Sequence, residues 1–436
     1  MEQTTPIKKP DRALGFGKSR FIASLALFFT VNLGLTFFVP IPRLPVDELP
    51  TKSSWECHRA LRFIDDASKS RTPEIILFGS SLMMIPSTCA EADYKNKIID
   101  PVIEPYSTLF SHLLSQSEKN ENHDCFNFAL PGATISDHYI VSRALFNQTR
   151  KPKLAILGVT LRDFIDNSVD CAAATPAYNY FQRYLSDEDL DNLLPLSMPS
   201  ISQRGEFLVN KYIYLLGKRL EIVYTGQSRA QELINELLAN LPNDKTDHKT
   251  DHKTDHKTDR SQSITAATSP PESTDAGARV DNILAAQEVR PGNYLILPNM
   301  VLPWQDNTKE YKKRFKTANQ TAFTIQSTYL EKLIEYNQSL GISTMLVNMP
   351  LTQANMNLMP QGSYEKYLAT MKRLARQHNL VFLELNDNTV FDATCFRDTV
   401  HMNGKGGTKL LNEIARCMLK ETDKPSLANK LERNPQ

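Results

Sequence analysis

Five short apolar runs punctuate the chain, each closed by glycine, proline or small polar residues. They lie at 74–79 ("EIILFG"), 125–130 ("CFNFAL"), 154–159 ("LAILGV"), 344–349 ("TMLVNM") and 381–385 ("VFLEL"). Short runs of this kind read as strands of a parallel sheet, buried on both faces. Between them the apolar positions recur at helical spacing, as at 322–340 and 364–378 ("YEKYLATMKRLARQH"), and 406–419 reads as a closing helix. Strand and helix in alternation predict an α/β fold whose parallel sheet is covered on both sides.

A different pattern occupies the N-terminus. Residues 21–41 ("FIASLALFFTVNLGLTFFVPI") carry no charge. At 1.5 Å per residue such a helix spans about 31 Å, enough for the hydrocarbon core of a bilayer. Lys8, Lys9, Arg12, Lys18 and Arg20 precede it against Glu2 and Asp11, and the first charges beyond it are Arg43, Asp47 and Glu48. The basic excess puts residues 1–20 in the cytoplasm and everything after Pro42 outside, in the periplasm if the cell is bacterial. The segment is long for a cleaved signal peptide and no A-x-A site follows, which favours a retained single-pass anchor. Residues 42–70 then form a stalk and lead-in, and 421–436 a tail.

The interval between the third and fourth runs is long, with an insertion expected at 171–310 between two parts of one domain, 71–170 and 311–420. The insertion opens with a helical stretch, 205–241. It continues into "KTDHKTDHKTDHKTDR" at 245–260 and a Ser/Thr/Ala/Pro tract, so that 243–280 holds too little apolar area to fold and is expected to be disordered. His248, His252 and His256 would share a face if helical and could then bind metal, but a solvated linker is the reading taken, and no metal or cofactor is assigned. The stretch at 294–304 ("YLILPNMVLPW") is too short and proline-broken to span a bilayer and reads as a packed loop or lid.

Net charge is +1, from 50 basic and 49 acidic side chains. That balance gives no basic surface for nucleic acid. Six cysteines (Cys57, Cys89, Cys125, Cys171, Cys395, Cys417) form no C-x-x-C pair and no zinc spacing, and both disulfides and buried thiols stay open.

Ligands of open parallel sheets bind at the carboxyl ends of strands. There the chain places Gly79-Ser80-Ser81, Pro131-Gly132-Ala133-Thr134, Thr160-Leu161-Arg162-Asp163 and Asn348-Met349-Pro350, and beyond the fifth run "CFRDTVHMNGKGG". A serine after the first strand reads either as a helix N-cap or as a nucleophile. Asp398-x-x-His401 reads either as a cap beside a half-exposed histidine or as an oriented base. In the second reading Asp398 accepts from Nδ1 and leaves Nε2 to take a serine proton.

"FGSSLMM", "NFALPGAT", "LGVTLRDF" and "RDTVHMNGKGG" resemble, in order and strand placement, the blocks of the SGNH (GDSL-like) hydrolase superfamily, from about residue 70 to 420 with the insertion set aside. The closest likeness is to membrane-anchored extracytoplasmic members linked to O-acetylation of polysaccharides and cell-wall polymers. The resemblance implies a flavodoxin-like three-layer sandwich with a five-stranded parallel sheet, and acyl-ester chemistry through a Ser-His-Asp triad. By position Ser81 is the nucleophile, His401 the base and then acid, and Asp398 its orienter, while Ser80 takes the motif's Asp place. The Ser81 and Gly132 amides would form two oxyanion donors, one such donor being worth about 3 kcal/mol. The third block departs from the pattern, because Thr160 stands where an Asn is usual. Thr160 and Arg162 are the candidate replacements, against the plainer reading that Arg162 pairs with Asp163 or Asp166.

Two functions follow as expectations. One is an esterase or O-acyltransferase on an acylated glycan or cell-envelope polymer, with a membrane-bound acyl-donor protein as a further partner. The other is a weakly active or inactive scaffold subunit of an envelope modification or export complex, which the altered third block favours. An α/β-hydrolase shares the Ser…Asp…His order but wants Gly-x-Ser-x-Gly, and position 83 is Met.

Overall fold

The computed structural model describes residues 20–39, 55–69, 71–116, 123–218, 295–299 and 304–422, with isolated positions from 222 to 233. Residues 1–19, the stalk up to 54, the DHKT repeat and residues 423–436 lie outside the described residues, as does about half of 205–241. The chain forms two compact units, Leu44–Tyr212 with Gly292–Gln436, and Met1–Arg43 with Ile213–Pro291.

The larger unit is an α/β fold around a five-stranded, all-parallel sheet ordered β2-β1-β3-β4-β5. The strands are β1 (Ile75–Gly79), β2 (Cys125–Asn127), β3 (Leu154–Val159), β4 (Ser343–Asn348) and β5 (Val381–Glu384). β1 and β3 are buried at every position, whereas the edge strand β5 is half-covered. β2 ends three residues earlier than the apolar run. Phe128 and Leu130 still donate to Leu77 and Gly79 of β1 (2.8 and 2.9 Å), so the chain peels away as it passes the end of β1.

Counting the apolar helix Arg20–Phe38 as α1, helices α2 (Trp55–Ser68), α3 (Ser81–Lys95), α4 (Thr108–Ser115) and α5 (Ile135–Leu145) follow. The short α6 (Arg162–Ile165) and α7 (Pro176–Phe181) come after β3, with α8 (Asp187–Ser197) and α9 (Ile201–Tyr212). In the smaller unit α10 is Tyr214–Gly217. Returning to the sheet, α11 is Thr308–Arg314, α12 Gln320–Ser339, α13 Gln353–Met356, α14 Ser363–Gln377 and α15 Gly404–Thr422. Ile213 breaks the expected helical stretch between α9 and α10.

The β1-to-β2 and β2-to-β3 crossovers run in opposite directions across the sheet. With right-handed connections, α3 and α4 cover one face and α5, α12 and α14 the other. The helix contacts agree, since α15 packs on α3 and α4, and α12 on α5 and α6. The direction reverses between β1 and β3, so the crevice of such a sheet opens beyond Gly79 and Gly158, which are paired in register.

Those two glycines let α3 settle on the strand ends. A Cβ on Gly79 would stand 2.6 Å from Met83 Cβ, and one on Gly158 2.6 Å from Met83 Cε and 2.7 Å from Met349 Sδ. On the far side of α3, a Cβ on Gly407 would stand 1.9 Å from the Pro86 carbonyl and one on Gly404 1.7 Å from Asp93 Oδ2. Glycine therefore sets the spacing both between sheet and α3 and between α3 and α15.

α1 is 19 residues long with a mean hydropathy of 2.0 and no buried residue, long and apolar enough to cross a membrane. Among the described residues, Cys89, Cys125 and Cys395 are free thiols.

Candidate active site

Ser80 leaves β1 in extended conformation and caps α3, its hydroxyl accepting from the Leu82 N–H at 3.4 Å while its carbonyl takes the Met83 and Met84 amides. Ser81 is thus the first residue of a 15-residue helix, a place where the aligned peptide dipoles favour negative charge. The two hydroxyls divide the two readings of the sequence between them, with Ser80 as the cap and Ser81 free to point elsewhere.

The Ser81 hydroxyl lies 2.9 Å from His401 Nε2. His401 Nδ1 lies 2.7 Å from Asp398 Oδ2, and Asp398 Oδ1 accepts the Val400 and His401 amides at 2.8 and 2.7 Å. The three residues that the sequence marked as nucleophile, base and orienter therefore form one hydrogen-bonded chain. Burial alone would raise the Asp398 carboxyl, but the His401 ring and those two amides outweigh it and hold the group below its ordinary value. Asp398 stays ionised and can hold the imidazole with Nδ1 protonated.

Several elements fix the loop that carries this pair. Arg397 N donates to the His401 carbonyl at 2.9 Å, closing the loop, and Phe396 bridges Met402. Asn403 accepts the Gly406 amide at 3.1 Å and donates to the Thr394 carbonyl at 2.8 Å, tying the loop to the start of α15. The chain returning from the insertion adds a strap. Gln305 N donates to the Arg397 carbonyl at 3.1 Å, and Asn307 Oδ1 accepts the Thr399 amide and hydroxyl. Thr352, beyond β4, donates to the Thr399 carbonyl at 2.7 Å. Upstream, Ile296 pairs with Ile99 through two 2.9 Å bonds, and Asn299 N meets Asp93 at 2.5 Å, so the described part of 294–304 is packed against the α3 side.

Gly132 follows β2 with φ of +73°, a conformation glycine adopts freely. It lies two residues past Leu130, which bonds Gly79, and Ser81 lies two residues past Gly79, so both amides emerge at neighbouring strand ends. Neither N–H has a partner among the described residues. Both are therefore backbone donors without a described partner at these strand ends.

Thr160 and Arg162 are placed differently from the expected oxyanion role. The Thr160 amide and hydroxyl both address Asp163 Oδ2, at 2.9 and 3.5 Å, and the residue is 1% exposed. Arg162 is buried between Asp163 (2.9 Å) and Asp166 (3.5 Å), and its Nη1 donates to the Gly132 carbonyl at 3.1 Å. The guanidinium is therefore spent on two carboxylates and on orienting the Gly132 peptide. Arg314, from α11, also grips Asp166. His138, beneath this cluster and against the Phe78 ring, is pushed down to about 3 by burial and by the Arg162 charge, and stays neutral.

A small cleft of about 70 Å³ opens beside the loops after β2 and β3, with Thr134, Asp163, Asp166, Cys171, Asn319 and Gln326 in its wall. Among the described residues, Glu331, Glu335 and His378 bring ligand atoms within 4.8 Å of one another. They sit near the edge where strands begin, away from Ser81, and Glu331 already accepts from Gln377 at 2.7 Å.

Sequence reasoning missed the clamp on Gly132 and the strap from 305–307. The glycines of "NGKGG" were the one available signal for the α3–α15 approach. No known family model matches the chain, and no curated protein matches it.

Proposed function

We propose that the larger unit is an SGNH-type acyl esterase or O-acyltransferase. The observation that carries this is the unbroken chain Ser81–His401–Asp398 at the carboxyl ends of a parallel sheet. In the reaction Ser81 Oγ attacks the acyl carbon as His401 Nε2 takes its proton. The Ser81 and Gly132 amides receive the oxyanion, and the collapse expels the alcohol, which takes the proton back from Nε2. Water or a sugar hydroxyl then repeats the sequence on the acyl-enzyme, giving hydrolysis or transfer. The substrate class proposed is an acylated glycan or cell-envelope polymer. The α1 helix supports a membrane anchor, with the N-terminus inside and the catalytic unit outside, near a membrane-bound acyl donor.

A second reading, a scaffold retaining the fold, is favoured by one observation: Thr160 and Arg162 are committed to buried carboxylates, so the third donor of the family pattern has no side-chain replacement here. Treatment of the full chain with a fluorophosphonate ester separates the two. Labelling lost in Ser81→Ala and kept in Ser80→Ala supports the acyl-enzyme route. A folded chain that takes no label is the scaffold.

A further inference from the structure

The apolar helix α1 is not uniform around its circumference. Thr30 and Thr36 donate to the Ala26 and Asn32 carbonyls one turn back, at 2.8 and 2.9 Å, and are satisfied within the helix. Asn32 reaches outside it. Its Oδ1 accepts from the Tyr214 N–H at 2.7 Å, and the Tyr214 hydroxyl donates to the Val39 carbonyl just past the helix end. One tyrosine therefore lies along the last two turns of α1, its backbone toward the helix middle and its hydroxyl toward the end. The partly covered residues of α1 are Asn32, Gly34 and Leu35, all in its C-terminal half, whereas the others are exposed. Leu215 and Leu216, next in the same compact unit, are 53% and 41% exposed.

We propose that α10 is a second membrane-inserted element, seated against α1 in the leaflet at its C-terminal end, with lipid acyl chains as the partner of Leu215 and Leu216. This rests on the reading of α1 as a membrane anchor. Asn32 lies six residues before Phe38, about 9 Å along the axis, which is inside the hydrocarbon of a bilayer about 30 Å thick. A carboxamide at that depth needs a protein partner, because lipid supplies none. The Tyr214 amide opens a helical turn and needs an acceptor for the same reason. Each satisfies the other, as hydrocarbon requires. The tyrosine's apolar ring then lies in hydrocarbon with its hydroxyl near the headgroups, the arrangement of interfacial aromatic belts. Two adjacent exposed leucines are unfavourable in water and gain free energy in acyl chains.

The test uses the full chain in phospholipid nanodiscs, with Trp55→Phe and Trp304→Phe as background and a single new tryptophan read against lipids brominated on the acyl chains. Leu216→Trp should emit at short wavelength and lose most of its emission to brominated lipid, as should the α1 reporter Phe28→Trp. Leu215→Trp is the second reporter, should the first perturb the turn. Adding Asn32→Leu should restore emission at position 216 and leave position 28 quenched. Quenching at 28 without quenching at 215 or 216 overturns the proposal and leaves the anchor standing. No quenching at 28 removes the anchor and the proposal together. Quenching at 216 that Asn32→Leu does not weaken overturns the role of the Asn32–Tyr214 bond.

Discussion

The Ser81 hydroxyl and His401 Nε2 stand 2.9 Å apart although 320 positions separate them in the chain. The two residues ride on elements that pack together, since α15 meets α3 where Gly407 passes the Pro86 carbonyl. A methyl group there must push the two helices apart. Gly407→Ala is expected to cost about 1–3 kcal/mol of stability and to lower the rate of fluorophosphonate labelling in the protein that remains folded. Labelling at the parent rate would show that the loop holds His401 without help from α15.

Asp398→Asn keeps the size of the side chain and the acceptor for the Val400 and His401 amides. It presents an N–H donor to His401 Nδ1, so the ring takes the tautomer with Nε2 protonated and cannot accept from Ser81. Labelling should slow by on the order of 10⁴-fold with little loss of fold. A far smaller drop would mean that the His401–Asp398 bond does not set the tautomer.

Arg162 is the keystone of a buried charge cluster, and its removal leaves Asp163 and Asp166 without their shared cation. Arg162→Met should cost about 3–5 kcal/mol by thermal or urea unfolding. Arg162→Lys keeps a charge but cannot reach both carboxylates and the Gly132 carbonyl at once. It should recover part of the stability and still label slowly, because the Gly132 peptide is freed. Full recovery of labelling by lysine would remove Gly132 from the oxyanion site.

His138 gives a pH signature. The folded ring stays neutral down to about 3, whereas in the unfolded chain it binds a proton near its ordinary 6.5. Between those values the unfolded state holds more protons, so stability falls as pH drops from 6.5 toward 3. His138→Leu should flatten that fall in the urea midpoint. Equal slopes in parent and variant would mean the ring is not held neutral.

The strands were legible because four of the five apolar runs carry their own boundaries. The run at 154–159 coincides with β3, the one near β4 is offset by one residue at both ends, and those near β1 and β5 differ by one residue at one end. The run at 125–130 outlasts the assigned strand, since Phe128 and Leu130 stay buried and keep single hydrogen bonds to β1. Ser81, Asp398 and His401 were legible because each lies beyond the carboxyl end of a strand, before or at the start of the long helix that follows it. Thr160 and Arg162 were not, because nothing in "GVTLRDF" tells whether an arginine faces the crevice or turns inward to the carboxylates beside it. That choice depends on Gly132 and Arg314, distant in sequence. The strap from Gln305 and Asn307 was hidden for a similar reason, lying past an insertion whose composition says nothing of where it returns.

The strand order has a consequence for the chain as a divisible object. β1 to β3 and Ser81 precede the DHKT repeat, while β4, β5, Asp398 and His401 follow it. The two stretches meet through the β3–β4 ladder and the α3–α15 contact. A chain severed at the repeat yields two pieces, neither of which holds a complete relay. The sheet seam offers the two pieces a register in which to reassemble, and labelling of Ser81 would return only as the second piece is titrated into the first.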